Sequence, residues 1–154
     1  TQPDFRPHDL HAIIDDVLSL LASRAEKAGV SLSCNFDEPE LIFLCDREQI
    51  MQVLLNLVLN ALAFVGDCGR VQIATRLDGS VLQISVMDDG PGVPPALRQA
   101  IFDPFFSRRE GGIGLGLTIV QQIVHVHGGE ITVGESPWAG ASFNLTFPVN
   151  RQDR

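Results

Sequence analysis

Four closely spaced glycines form the segment of this chain best suited to hold an anion: Gly111, Gly112, Gly114 and Gly116. The run leads through Leu117 into a stretch with helical spacing. Because glycine has no side chain, its N–H group is uncovered, and unpaired N–H groups at a helix start attract phosphate. The spacing matches neither a Walker loop nor G-x-G-x-x-G. Glycine-rich segments also serve as plain connectors, so both interpretations stand at this point.

The stretch after the glycines is predicted to be an amphipathic helix from Leu117 to His127. Its polar face is predicted to carry Thr118, Gln121, Gln122 and His125, and its apolar face Ile119, Val120, Ile123 and Val124. The apolar face is expected to pack on the core and so to fix the end of the helix at which the glycines stand.

A second candidate is a narrow polar stripe on an otherwise apolar helix, predicted from Glu48 to Val65. At roughly 100° per residue, four amides fall within about 80° of one another, namely Gln49, Gln52, Asn56 and Asn60. Ordinary solvent exposure is the preferred interpretation for the two glutamines. Asparagine is unfavourable inside a helix, so the two asparagines favour a neutral oxygen ligand for Mg²⁺ together with a hydrogen bond on the phosphate side.

A third candidate is the segment from Asp88 to Pro95, which follows a predicted strand and contains Gly90 and Gly92. An aspartate at the exit of a buried strand can accept a hydrogen bond from an exocyclic amine. The two glycines would let a flat ring approach the backbone. Asp-Gly and Pro-Gly are also common turn dipeptides, so a plain turn is an equal alternative.

The last candidate, residues 102–110, reads Phe-Asp-Pro-Phe-Phe-Ser-Arg-Arg-Glu. Its three phenylalanines are poorly suited to solvent and could fix one end of a flap to the body of the protein. Arg108 or Arg109 could then reach a terminal phosphate. The alternative is a hydrophobic contact next to a solvated charge pair.

Composition limits the class of protein and of partner. The chain has 154 residues, 45% of them hydrophobic, which fits one domain with a full core. Its net charge of −8 argues against nucleic-acid or anionic-membrane surfaces. The cysteines, Cys34, Cys45 and Cys68, lack metal-site spacing and suit a reducing, cytosolic compartment. We see no signal peptide and no long apolar span, so we expect no membrane contact by this domain.

The pattern of hydrophobic residues predicts an α+β protein. Helices are predicted at 9–28, 48–65 and 117–127, and strands at 30–36, 41–44, 70–77, 81–87, 130–134 and 141–148. A short helical turn is predicted at 96–101. Asp78-Gly79 marks a hairpin between two of the strands. We therefore expect a two-layer sandwich, in which a mixed, mostly antiparallel sheet packs against three helices.

In order and spacing, these segments resemble the four boxes of the histidine kinase catalytic domain, of the ATP-binding superfamily that includes gyrase B, Hsp90 and MutL. The resemblance covers residues 5–148 as a single domain and implies the Bergerat-type fold. Residues 52–57 with Asn60-Ala61 resemble the N box, and Asp88-x-Gly90-x-Gly92 resembles G1. Phe102-x-Pro104-Phe105-Phe106 resembles the F box, and Gly112-x-Gly114-Leu115-Gly116-Leu117 resembles G2.

The resemblance implies ATP and Mg²⁺ as cofactors. Asp88 would accept from the adenine amino group, with Gly90 and Gly92 beside the base, and Asn60 would ligate Mg²⁺. Asn56 would line the phosphate side of the site. Arg109 stands where relatives often carry Lys and would point toward the γ-phosphate. These two residues are the candidates for a catalytic role. The remaining nucleotide-binding residues would be Phe102, Gly112, Gly114, Leu115, Gly116 and Leu117. The segment from Phe102 to the glycine run would form a flap over the phosphates.

Asn56 also distinguishes transfer from hydrolysis. Hydrolysing relatives carry Glu at this position, one turn before the metal-binding Asn, and an amide cannot accept a proton at neutral pH. The resemblance therefore implies transfer of the γ-phosphoryl group, by positioning and charge neutralisation.

No phosphoacceptor H-E/D-x-x motif is found around the chain's histidines, which are His8, His11, His125 and His127. The expected partners are thus a dimerisation domain carrying the phosphoacceptor histidine and a downstream response regulator. We expect a cytoplasmic location, alone or as the cytosolic part of a membrane-anchored sensor. The alternatives are a Ser/Thr kinase of the anti-sigma or mitochondrial type, and a degenerate nucleotide-binding module without transfer.

Overall fold

A computed structural model of the protein describes residues 2–66, 69–104, 106 and 113–149, with the backbone alone described at 113–116. Its three α-helices are α1 (Leu10–Lys27), α2 (Arg47–Phe64) and α3 (Ile113–Val126). The strands found in the described part are β1 (Arg6–Asp9), β2 (Ser31–Phe36), β3 (Ile42–Cys45), β4 (Arg70–Asp78), β5 (Val81–Asp88), β6 (Glu130–Glu135) and β7 (Ala141–Pro148). Short 3-10 turns at Pro95–Leu97 and Ala100–Phe102 stand where the helical turn was predicted.

Five of the described strands form a mixed sheet with the order β2-β4-β5-β7-β6, in which the β2–β4 pair is parallel and the other pairs are antiparallel, and β1 and β3 form a separate two-stranded sheet. Helix α2 packs between α1 and α3 and contacts β4 and β5 in the middle of the sheet. The predicted architecture, helices against a mostly antiparallel sheet, is confirmed. Within the described residues, no helix is both long enough and apolar enough to cross a membrane.

Strand β5 lies at the centre of the sheet and shows how the core positions the site. Leu82, Ile84 and Val86 are fully or almost fully buried. Because alternate residues of a strand share a face, Asp88 is the next residue on that face. The strand's alternation therefore brings a carboxylate to the edge of the core.

Strand β1 was not predicted. It pairs antiparallel with β3, from Arg6 opposite Cys45 to Asp9 opposite Ile42. The segment has four residues and contains Pro7, and proline is typical of edge strands and weakens any strand signal. Its pairing comes from a partner more than thirty residues further along the chain, which local periodicity does not reveal.

Helix α3 begins at Ile113, four residues before the predicted start, so Gly114, Leu115 and Gly116 lie within it. Ile119 is 43% exposed, and its assignment to the packed face was wrong. From residue 117 onward, where the side chains of this helix are described, the buried ones are Leu117, Val120, Ile123 and Val124. At 100° per residue, Ile119 lies roughly 110° from the centre of that set.

Candidate functional site

A cavity of about 130 Å³ lies between the end of α2 and the segment that follows β5. It is lined by Asn60, Ala61, Phe64, Asp88, Pro91, Gly92, Val93, Ala141 and Phe143. Two of the predicted candidates, the Asn60 stripe and the Asp88 segment, therefore meet at one place. The walls are mostly apolar and the polar groups are few, which is the usual constitution of a small-molecule site.

Asp88 is 4% exposed and accepts two backbone hydrogen bonds on the same oxygen. Its Oδ1 lies 2.9 Å from the nitrogen of Gly90 and 3.1 Å from that of Ala141. Neither bond uses Oδ2, so an acceptor is left for a ligand. Burial raises the pKa of the Asp88 carboxyl above its usual value; the two backbone bonds oppose the rise and the charge of Asp89 adds to it.

Gly92 has φ +76°, a conformation that residues with a Cβ rarely adopt. The carbonyl oxygen of Ala139 would lie 3.5 Å from a Cβ at this position. The backbone conformation therefore explains the glycine, because the chain must turn tightly after β5; a Cβ here would make only ordinary contacts with the turn between β6 and β7.

Ser136, which sequence reasoning missed, connects that turn to Asp88. Its hydroxyl donates to the main-chain oxygen of Asp88 at 2.6 Å and accepts from the nitrogen of Gly140 at 3.0 Å. A Cβ at Gly140 would lie 2.6 Å from Asp88 Oδ1. A serine before a Gly-containing turn is a recognisable local signal, but its target is 48 residues away along the chain.

Asn60 carries an unsatisfied polar group. Its Nδ2 is buried and, among the described residues, has no hydrogen-bonding partner. Since buried amide groups are normally paired, such an atom at a cavity indicates a site that a ligand completes. The oxygen and nitrogen of an amide are assigned from the hydrogen-bond network, so either end of Asn60 can face a ligand.

The rest of the stripe does not reach the cavity. Asn56 and the exposed Gln52 line an open groove along α2, together with Glu48, Met51, Leu55 and Leu59. Solvent exposure is confirmed for Gln52 and wrong for Gln49, whose Oε1 is buried without a partner among the described residues. The reason is that Gln49 lies about 40° round the helix from the buried Val53.

Comparison with known proteins identifies the arrangement. Residues 45–151 match the family described as histidine kinase-, DNA gyrase B-, and HSP90-like ATPase. The catalytic domain of histidine kinase ThkA is 32% identical and superposes with a TM-score of 0.89, covering 98% of this chain and 99% of that one. The chain belongs to this ATPase family, as a catalytic domain of the histidine kinase type. The recognition made from the four boxes is thereby confirmed.

Two further similar proteins place the domain in longer chains. Signal transduction histidine-protein kinase AtoS of Escherichia coli (strain K12) is 36% identical over 93% of this chain, which spans 24% of AtoS. Histidine kinase ThkA in complex with response regulator protein TrrA is 30% identical, with a TM-score of 0.85 over 97% of this chain and 43% of that one. The chain thus spans about a quarter of AtoS and less than half of that ThkA chain.

Phe102 of the F box and Leu117 of the G2 box of this ATPase domain are both buried in the same hydrophobic core. Neither lines the cavity. The hydroxyl of Thr118 donates to the carbonyl of Phe102 at 3.2 Å and joins α3 to the end of the second 3-10 turn. Arg109 and Gly112 lie outside the described residues, and Gly114, Leu115 and Gly116 belong to the first turn of α3.

Proposed function

We propose that this ATP-binding domain holds Mg·ATP and positions its γ-phosphoryl group for transfer to a histidine on a separate dimerisation domain, in two-component signalling. The observation that carries the proposal is the geometry of Asp88, a buried carboxylate at the edge of an apolar cavity. Two backbone N–H groups occupy one of its oxygens, and the other is left to accept from the base.

The base end of the site would be specific for adenine. The apolar walls, among them Val93 and Phe143, suit the faces of a purine ring. The Asp88 carboxylate only accepts hydrogen bonds when it is ionised, so it suits the 6-amino group of adenine. A 6-oxo purine would present an oxygen there, and two acceptors would face each other.

The phosphate end would be formed by Asn60 and by the start of α3. Among the described residues, no three His, Cys, Asp or Glu side chains are grouped to hold a metal. One amide ligand nevertheless fits Mg²⁺, which usually keeps several waters and is bound largely through substrate phosphates. When bound, Mg²⁺ would neutralise phosphate charge. Gly112, Gly114 and Gly116 would offer backbone donors, and Arg109 would approach the γ-phosphate.

Asn56 supports transfer rather than hydrolysis. As an amide it cannot remove a proton from water at neutral pH, so its proposed catalytic role is to position the phosphate side. The relatives named above are histidine kinases, which favours transfer to histidine over the Ser/Thr kinase alternatives. By analogy with the complex of ThkA and TrrA, we propose a response regulator as the downstream partner. We also propose a cytoplasmic location, because the scattered cysteines suit a reducing compartment.

Calorimetric titration of the 154-residue chain with ATP tests this function. Asp88→Asn is expected to weaken binding at least about tenfold, because an NH₂ donor would then face the amine donor of adenine. Asn60→Ala is expected to weaken binding more in Mg²⁺ than in EDTA. Incubation with labelled ATP should leave no stable label on a histidine of this chain. Absence of ATP binding, or full affinity in Asp88→Asn, would refute the proposed site.

A further inference from the structure

The turn between β6 and β7, residues 136–140, is fastened to Asp88 by one buried side chain. Ser136 is 4% exposed, and its hydroxyl takes part in three hydrogen bonds. It donates to the main-chain oxygen of Asp88 at 2.6 Å and accepts from the nitrogens of Gly140 at 3.0 Å and Trp138 at 3.2 Å. The nitrogen of Ala141, the next residue after the turn, donates to Asp88 Oδ1 at 3.1 Å. The turn therefore holds both the backbone and the carboxylate of Asp88.

A second set of contacts connects the same turn to the residue after Asp88. The nitrogen of Arg70 donates to Asp89 Oδ1 at 3.0 Å, and the Arg70 guanidinium lies 3.9 Å from the centre of the Trp138 ring. Within the turn, Ala139 has φ +65°, which is unfavourable for a residue with a Cβ. An unfavourable conformation persists only where its surroundings enforce it, so these contacts hold the turn in one arrangement.

We infer that Ser136 is a positioning residue for recognition of the base, acting through Asp88. The inference rests on the proposed function and extends it. With Ser136 holding the main chain of Asp88, the nitrogens of Gly90 and Ala141 both reach Oδ1, and Oδ2 is reserved for the ligand. Without the hydroxyl, the Asp88 carbonyl loses this donor, and the carboxylate is free to turn away from the base.

The experiment compares ATP with purine riboside triphosphate, which lacks the 6-amino group, as ligands of the 154-residue chain. In the wild type, the ratio of the two affinities measures the contact between Asp88 and the amine. Ser136→Ala is expected to lower this preference for ATP about tenfold and to leave the affinity for purine riboside triphosphate unchanged. A purely structural role would weaken both nucleotides equally.

Ser85→Ala is the matched control. Ser85 is also a buried serine of the sheet, and its hydroxyl donates to Asn144 Oδ1 at 2.9 Å rather than to Asp88. Loss of this hydroxyl should leave the nucleotide preference at its wild-type value. If Ser85→Ala lowers the preference as much as Ser136→Ala does, the effect is a general one and the inference is wrong.

Two further measurements keep the inference testable if Ser136→Ala is less stable. Trp138 lies in the turn and is the single tryptophan of a chain that has no tyrosine. Tryptophan fluorescence, excited at the long-wavelength edge of its absorption band, therefore reports on the turn itself. Its emission should change in Ser136→Ala without nucleotide and should not change in Ser85→Ala. In an Asp88→Asn background, Ser136→Ala should lower ATP affinity no further, because coupled residues are not additive. If Ser136→Ala lowered ATP affinity in that background by as much as it does in the wild type, the inference would be wrong. If the wild-type chain failed to bind ATP, the proposed function would be wrong instead.

Discussion

The Thr118 hydroxyl lies 3.2 Å from the carbonyl oxygen of Phe102, which is sixteen residues earlier in the chain. Phe102 is buried and Thr118 is half-buried on α3. The segment between them carries most of the F box and the glycine run. This hydrogen bond therefore joins the start of the F box to α3, at the two ends of that segment.

Thr118→Val should lower the free energy of unfolding by about 1 kcal/mol, the net value of one ordinary hydrogen bond. Valine keeps the shape of the side chain but has no hydroxyl, so the Phe102 carbonyl loses its donor. Urea unfolding measures the change. Thr132→Val on the exposed side of β6 is the control and should change stability by less than about 0.5 kcal/mol. Equal effects of the two substitutions would show that the contact contributes no stability of its own.

The raised pKa of Asp88 predicts how nucleotide preference depends on pH. The carboxylate must be ionised to accept from the amine, and burial shifts its protonation to a higher pH than is usual for aspartate. The preference for ATP over purine riboside triphosphate should therefore fall on acidification before ordinary aspartates titrate. Because both nucleotides carry the same phosphates, the ratio of affinities removes the titration of the phosphate groups. A ratio that stays constant down to the usual aspartate range would contradict the prediction.

Asp88→Asn should separate binding from stability. The pKa of Asp88 is higher in the folded state than in the unfolded state, so the folded chain holds this proton more tightly. Ionised Asp88 therefore destabilises the fold at neutral pH, and this penalty shrinks as the pH falls through the raised pKa. Asparagine removes the charge and keeps an Oδ1 acceptor for Gly90 and Ala141.

The expected result for Asp88→Asn is a free energy of unfolding at neutral pH equal to or above that of the wild type, with ATP binding weakened at least about tenfold. The gap in stability between variant and wild type should narrow in acid. Urea unfolding at neutral and at acid pH measures both values. If Asp88→Asn lowered the free energy of unfolding by more than about 1 kcal/mol at neutral pH, the charge of Asp88 itself would stabilise the domain.

Sequence reasoning succeeded where a residue's role follows from local pattern. Asp88 was predicted at the exit of a buried strand, and it is the last residue of β5, which was predicted to end at Met87. The amphipathic spacing predicted that α1 starts at residue 9, one residue before its first residue, Leu10; Asp9 is its cap, and its side chain accepts from the nitrogen of His11.

Two failures concern partners that are distant in sequence. Ser136 acquires its role only when the β6–β7 turn comes against Asp88, and β1 exists only because β3 pairs with it. In both cases the deciding contact is tertiary, and no local propensity or period encodes it. Ile119 failed for a local reason: it is apolar, but at 100° per residue it lies roughly 110° from the centre of the buried set, so the helical period places it toward solvent.

Gly140→Ala should be the most damaging small substitution near the site. An added Cβ would lie within 2.7 Å of the Asp88 carbonyl carbon and 2.6 Å of its Oδ1. Neither atom can move freely. The backbone N–H groups of Gly90 and Ala141 donate to Asp88 Oδ1, and the Ser136 hydroxyl donates to the Asp88 carbonyl. Overpacking of this kind costs about 1–3 kcal/mol, and we expect ATP affinity to fall with stability.

Gly134→Ala, in strand β6 of the same hairpin, is the matched control for Gly140→Ala. A Cβ at Gly134 would meet no atom within 4 Å, and this glycine is not among those with positive φ. Its replacement should leave stability unchanged or raise it by up to about 1 kcal/mol, because alanine restricts the unfolded chain. Thermal unfolding and ATP titration of both variants measure the difference. Equal, small changes in stability and ATP affinity for the two substitutions would show that the turn can shift at Gly140. The close packing of the β6–β7 turn on Asp88 would then not be what holds that carboxylate in place.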